Sequence, residues 1–362
     1  MFNASRLIVA RQRAGLTKKE LAVRVGLDPR SISGFELGQY VPTESNLNEI
    51  CRVLGFSKKF FESDDIEILE SGGVSFRSMS KITSKQRDAA TAAGSIAMIL
   101  NDWVDREFEL PRVQLPDYRD VDPEVAANSL RQYWGLGERP IKNMIYLLES
   151  KGIRVFSLVE NCKEVDAFSV WRGARPFVFL NTIKSGERRR FDAAHELGHL
   201  VLHRNAAPQG VEAEKEAQSF ASAFMMPEAA IRAKGHITPN MNTIMELKKE
   251  WKVSTSAMTV RLFQLKKLTY YHYNKLFIEI SRSGYRTAEP DAMPPETSQV
   301  WKKVFSEMRK DGISIADLAA EIAVPENELL KLVFGLVTVG MPDEPAHSSE
   351  LKGARAHLRL VK

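Results

Sequence analysis

Through the first sixty positions the apolar residues come in short runs spaced three and four apart, and polar capping signals separate the runs. Residues 4–14 predict one amphipathic helix, with Leu7, Ile8 and Ala10 turned inward. In "LTKKELAVRVG", Thr17 supplies an N-cap, Glu20 three residues on completes a capping box, and Gly26 ends the helix. Asp28 caps the next helix, Pro29 suits its first position, and "RSISGFE" carries it on. "VPTESNLNEICRVLG" reads as a further helix, with Leu47, Ile50 and Leu54 at core spacing.

The pattern then changes. "ESDDIEILESGGVSFRSMS" has the acidic run and the Gly72-Gly73 pair of a linker. Residues 83–107 predict a long helix with Ala-rich packing positions, and "VDPEVAANSLRQYWGLG" and "KNMIYLLESKG" predict two more. "IRVFSLV", "AFSVW" and "PFVFLN" are short, β-branched and aromatic, as strands are. Helices, then a small sheet, then more helices give an α+β chain that is mostly helical. Two later stretches, 245–268 and 297–336, repeat the rhythm of paired short helices. A polar tail follows, whose "HLRLV" suits an edge strand. The expected division is 1–66, a five-helix type of module; 72–290, a central module; 295–338, a helical docking or dimerisation segment; and 339–362, a tail that is mobile to about residue 354.

At 362 residues the chain exceeds one ordinary core, and 44% apolar with 27% charged residues is a globular composition. Its two cysteines, Cys51 and Cys162, are too far apart in sequence for a thiolate metal site or a disulfide framework, which suits a reducing compartment. Arg6, Arg11 and Arg13 interrupt any leader-like apolar run, and "AATAAGSIAMIL" is too short to span a bilayer, so a cytoplasmic protein without a membrane partner is expected.

Charge is unevenly placed. Residues 1–60 carry ten Lys/Arg against five Asp/Glu, a surplus equal to the +5 of the entire chain. Two short helices with a Gly-containing turn, the second opening on polar and basic residues, form a helix-turn-helix. The second helix reads base edges with its N-terminal residues, here Arg30, Ser31 and Ser33, and Arg30 suits a guanine edge. Lys18 and Lys19 begin the preceding helix, where phosphates lie. The plainer reading is a small helical bundle with a solvated basic face. "LTKKELAVRVGLDPRSISGFELG" resembles the XRE (Cro/repressor-like) family, with its T-x-x-x-L-A and S-x-x-E-x-G pattern. Gly34 departs from the polar or basic residue usual there. The resemblance implies a double-stranded DNA operator and binding as a homodimer.

The paired-helix rhythm at 245–268 is basic through Lys248, Lys249, Arg261, Lys266 and Lys267, and either DNA contact or packing beside the central site would use it. Residues 298–336 carry five Lys/Arg and six Asp/Glu, with Glu326 and Glu328 in the reader position. Carboxylates repel phosphates, so this segment is read as docking or dimerisation rather than DNA binding.

"AHELGH" places His195 and His199 one helical turn apart on one face, where two imidazoles can share a metal ion. Glu196 between them can serve a bound water as general base. A catalytic zinc needs a third protein ligand and an open position. Leu202 and Asn205 exclude the metzincin continuation, which leaves His203, Glu212, Glu214 and Glu216 as candidates. In "EAEKEAQSFASAFMMP" the apolar residues Ala217, Phe220, Ala221 and Phe224 define the inward face, and Glu214 falls on it. Arg189 and Arg190 have no spacing that proves an oxyanion role and read as solvated surface charges.

"RRRFDAAHELGHLVLH" followed by "EKEAQSFASAFMMP" resembles the ImmA/IrrE family of zinc metallopeptidases, as do "SFR" at 75–77 and "VFLN" at 178–181. The resemblance implies a zincin-like domain with a small sheet, one Zn²⁺ per chain on His195, His199 and Glu214, and Glu196 as the catalytic base. Gln218 stands where Asn is common in that family. The implied function is a DNA-tethered endopeptidase that cuts a repressor or itself to control stress, mobile-element or phage-related genes. The competing reading is a transcription regulator or antitoxin that uses the peptidase-like fold as a sensor and cuts nothing.

Overall fold

The capping signals of the first module are used as the sequence predicts. In the computed structural model its helices are α1 (Ala4–Arg13), α2 (Lys18–Val25), α3 (Pro29–Glu36), α4 (Glu44–Leu54) and α5 (Lys58–Glu62). Thr17 Oγ1 accepts from Glu20 N at 3.2 Å, and the Glu20 carboxylate accepts from Thr17 N at 2.7 Å. Gly26 closes α2 in the left-handed conformation at φ 69°, which costs a glycine nothing. Asp28 accepts from Arg30 N at 2.8 Å with Pro29 at the first helical position. One expectation shifts by a residue: in α1 it is Val9, not Ile8, that is fully buried beside Leu7 and Ala10.

Next come α6 (Ser84–Glu107), β1 (Phe108–Glu109), α7 (Pro123–Tyr133), α8 (Met144–Ser150), β2 (Arg154–Ser157), β3 (Ala167–Arg172) and β4 (Arg175–Leu180). They are followed by α9 (Gly186–Leu202), α10 (Val211–Met225), α11 (Glu228–Ala233), α12 (Met241–Trp251), α13 (Thr255–Gln264) and α14 (Tyr270–Arg282). The last elements are α15 (Gln299–Lys310), α16 (Ile315–Ile322), α17 (Glu326–Val333) and β5 (Arg359–Leu360). The structure describes residues 1–69, 83–158, 166–204, 210–337 and 359–360. The Gly72-Gly73 linker, the "SFR" segment, Cys162 and most of the tail lie outside the described residues. No helix among the described residues is long and apolar enough to cross a membrane.

The chain divides into two units. The first comprises Met1–Pro111, Phe156–Asp166 and Ser298–Lys362. Here α6 packs against α1, so the long helix associates with the first module rather than with the central one. The reason lies in its small face: Ala89, Ala90, Ala92, Ala93 and Ala97 are buried and admit a close neighbour. Helices α16 and α17 also pack on α6. One acidic residue of α17 has a use within the chain: Glu328 forms an ion pair with Arg13 of α1 and lies 2.6 Å from Lys331. Lys59 Nζ donates to Ala320 O at 2.7 Å, meeting the negative end of α16. Segment 297–336 thus docks on its own first module. Strand β5 pairs antiparallel with β1, as "HLRLV" suggests.

The second unit, Arg112–Val155 with Ala167–Thr297, carries the site. Strands β3 and β4 form an antiparallel hairpin from Ala167↔Leu180 to Arg172↔Arg175. Gly173 takes φ 57° in its two-residue turn, where a side chain would be strained. Among the described residues the sheet order is β2-β4-β3, with β3 at an edge. Alternation along β3 places Ser169 and Trp171 on one face, towards α9: Trp171 Nε1 donates to Leu200 O at 3.2 Å. Phe168 points the other way and stacks on Phe179, 4.4 Å between centroids. Helices α12 and α13 belong to the packing of this unit. Arg261 is buried, donates to Met226 O at 3.0 Å and pairs with Glu124 at 2.8 Å. Lys248 is buried with Glu187 and Glu289, each at 3.3 Å. Two of the five cations that made 245–268 look like a DNA face are therefore spent internally.

Candidate metal centre and reader helix

Helix α9 is capped by Ser185, whose side chain accepts from Arg188 N, and runs buried for almost its whole length. Arg189 and Arg190 are not the solvated charges expected of them. Arg190 donates to Ile141 O at 2.8 Å and Lys252 O at 3.1 Å and pairs with Glu296, while Arg189 donates to Lys184 O at 3.0 Å and to Thr182 O. Both guanidiniums satisfy buried carbonyls that flank the helix, which is why they are inside. Glu296 also accepts from Met144 N at 2.7 Å, at the start of α8.

Gly198 sets the distance to the next helix. A Cβ there would lie 3.2 Å from Ala217 Cα and 3.1 Å from the Phe220 ring. The missing side chain lets α9 and α10 approach, and the first turn of α10 then carries Glu214 across to α9. The sequence signal was present, a glycine within an apolar helical run.

His195 Nε2 and His199 Nε2 face each other at 3.1 Å. Glu214 spans both, with Oε2 3.2 Å from His195 Nε2 and Oε1 3.3 Å from His199 Nε2. His195 and His199 are buried, and Glu214 is partly exposed. These three side chains form a group that could hold a metal ion. Burial pushes the His199 imidazole below the usual histidine range, against the opposing pull of Glu214. Of the other candidates, Glu212 is exposed beside Lys215 at 3.1 Å, and His203 and Glu216 pair with each other at 2.7 Å.

Glu196 is 1% exposed and accepts a hydrogen bond from Ser169 Oγ at 2.7 Å. Ser169 was not singled out in the sequence. Its only signal was one small polar residue within the apolar strand "AFSVW".

In the first unit, the reader helix α3 exposes Arg30 and half-buries Ser31 and Ser33. Lys19 is exposed. Lys18 is engaged: its Nζ lies 3.2 Å from Glu36, a buried carboxylate that also pairs with Arg11 at 2.5 Å. At Gly34, a Cβ would meet the outer end of the Tyr40 ring, which would have to shift. Tyr40 lies across α3 and donates to Arg30 O at 3.3 Å.

Fold and site together define a helix-turn-helix module joined to a domain with two histidines and a glutamate on adjacent helices. Residues 7–61 match the family model described as helix-turn-helix, and residues 148–263 match the peptidase family model described as IrrE N-terminal-like domain. The chain is a fusion of an XRE-type helix-turn-helix with an IrrE/ImmA-like domain. No curated protein matches the chain as a relative.

Proposed function

We propose that the chain is a DNA-binding transcription regulator carrying a zinc-dependent endopeptidase that cleaves a repressor or itself. The observation that carries this reading is the spacing of the three ligand atoms. A tetrahedral zinc site with bonds of about 2.0–2.1 Å separates neighbouring ligand atoms by roughly 3.3 Å. His195, His199 and Glu214 present theirs at 3.1, 3.2 and 3.3 Å. His195, His199 and Glu214 would hold the zinc, which when bound would supply Lewis-acid polarisation and a more acidic water. Glu196 would be the general base and acid of the cleavage, a carboxylate able to hold a proton from the attacking water and return it to the leaving amine. Ser169, donating to Glu196 Oε2 at 2.7 Å, holds the carboxylate in place.

A non-cleaving sensor or antitoxin would leave Glu196 without a task. Comparison of protein N-termini in cells producing the chain or its Glu196→Gln variant tests the proposal. A regulator cut only by the native chain supports it, and identical sets of termini favour the sensor.

The DNA arm of the proposal is an operator bound by two copies through α3, in a cytoplasmic setting. Arg30→Ala is expected to flatten discrimination between operator and random DNA by about 1–3 kcal/mol. Lys19→Ala should weaken binding to all sequences alike and lower the salt slope by about one. Gel shifts across a salt series read both. Equal operator preference in Arg30→Ala removes that residue from base reading.

A further inference from the structure

Beyond the three candidate ligands, a line of hydrogen-bonding groups leads outward from His199. Its Nε2 faces His195 and Glu214. Its other ring nitrogen, Nδ1, lies 3.1 Å from His203 Nδ1, one turn further along the helix. His203 Nε2 in turn lies 2.7 Å from Glu216 Oε2, on α10. One assignment of protons satisfies the whole line. A carboxylate only accepts, so His203 Nε2 carries a proton and its Nδ1 a lone pair. That lone pair accepts from His199 Nδ1–H, and His199 Nε2 is left as a lone pair directed at the metal site. The same geometry bars His203 from the metal, because it sits at the far nitrogen of the His199 ring. Glu216 is turned outward by its own bond, which separates it from Glu214 although both stand on the first turns of α10.

We infer that Glu216 and His203 form a positioning relay that fixes the tautomer and ring orientation of His199 for metal binding. This rests on the zinc reading above. Partners of this kind raise ligand basicity, and their loss typically costs 10- to 100-fold in metal affinity. Glu216 is 44% exposed, so water partly replaces it, and its own contribution belongs at the lower end.

The test is zinc affinity of the full-length chain, read by competition with a chromogenic chelator. His203→Ala should weaken zinc binding about tenfold or more and leave saturation at the native stoichiometry. Glu216→Ala should weaken it less. Glu216→Gln should recover part of that loss, because the amide oxygen still accepts from His203. The double variant His203→Ala/Glu216→Ala should bind like His203→Ala alone, since removing the middle group already disconnects the carboxylate. Glu216 lies at the exposed end of the line, so its two variants test the relay without disturbing the core. Native affinity in His203→Ala, or losses that multiply in the double variant, would overturn the relay while leaving the zinc site standing. A native chain that binds no zinc would overturn the relay and the zinc reading together.

Discussion

Replacing Glu196 by glutamine is expected to leave zinc content at its native level and to slow cleavage at least a hundredfold. The substitution keeps volume, which matters for a side chain that is 1% exposed. The amide oxygen can still accept from Ser169 Oγ, so the local hydrogen bond survives. What disappears is the capacity to take a proton, and general-base assistance contributes about 10²–10⁴ in rate. Initial rates on the cleaved regulator, at equal zinc loading, measure the effect. A variant as fast as the native chain would remove Glu196 from the mechanism.

The second large effect is structural. Glu296→Ala should lower the stability of the unit that carries the site by about 3–5 kcal/mol, the usual result of stripping the partner from a buried charge. Arg190 is 1% exposed at its side chain and Glu296 7%, so water cannot take the place of the lost carboxylate. Glu296 also satisfies two backbone N–H groups, of Met144 and Ile145, at 2.7 and 3.3 Å. Urea unfolding followed by circular dichroism reads the loss as a lower midpoint. Because Arg190 stands on α9 five residues before His195, zinc affinity should fall with it. Unchanged stability would mean that the pair contributes nothing net, as some buried pairs do.

The local signals were the most legible in the sequence. Thr17, Glu20, Gly26, Asp28 and Pro29 act within a few residues of themselves, and each fixes a helix end where the sequence placed it. The grouping of His195, His199 and Glu214 was legible for a related reason. Two of them are fixed by helical period, and the third by the apolar face of one adjoining helix. What could not be read depends on partners distant in sequence. Nothing near Arg190 announces Glu296, a hundred and six residues away. Nothing near Arg13 announces Glu328. The basic look of 245–268 left DNA contact and packing both open for the same reason, since charge counts cannot tell that Arg261 faces Glu124. The Ala-rich face of α6 showed that a helix packs closely there, without naming α1 as the neighbour.

The proposed function requires His195, His199 and Glu214 together to hold one zinc ion. Metal analysis of the purified full-length chain, beside Glu214→Ala and Glu216→Ala at saturating zinc, tests it most directly. The expected result is one zinc per native chain, none retained by Glu214→Ala, and one retained by Glu216→Ala. A Glu214→Ala chain that keeps its zinc, or a native chain that holds none, would contradict it.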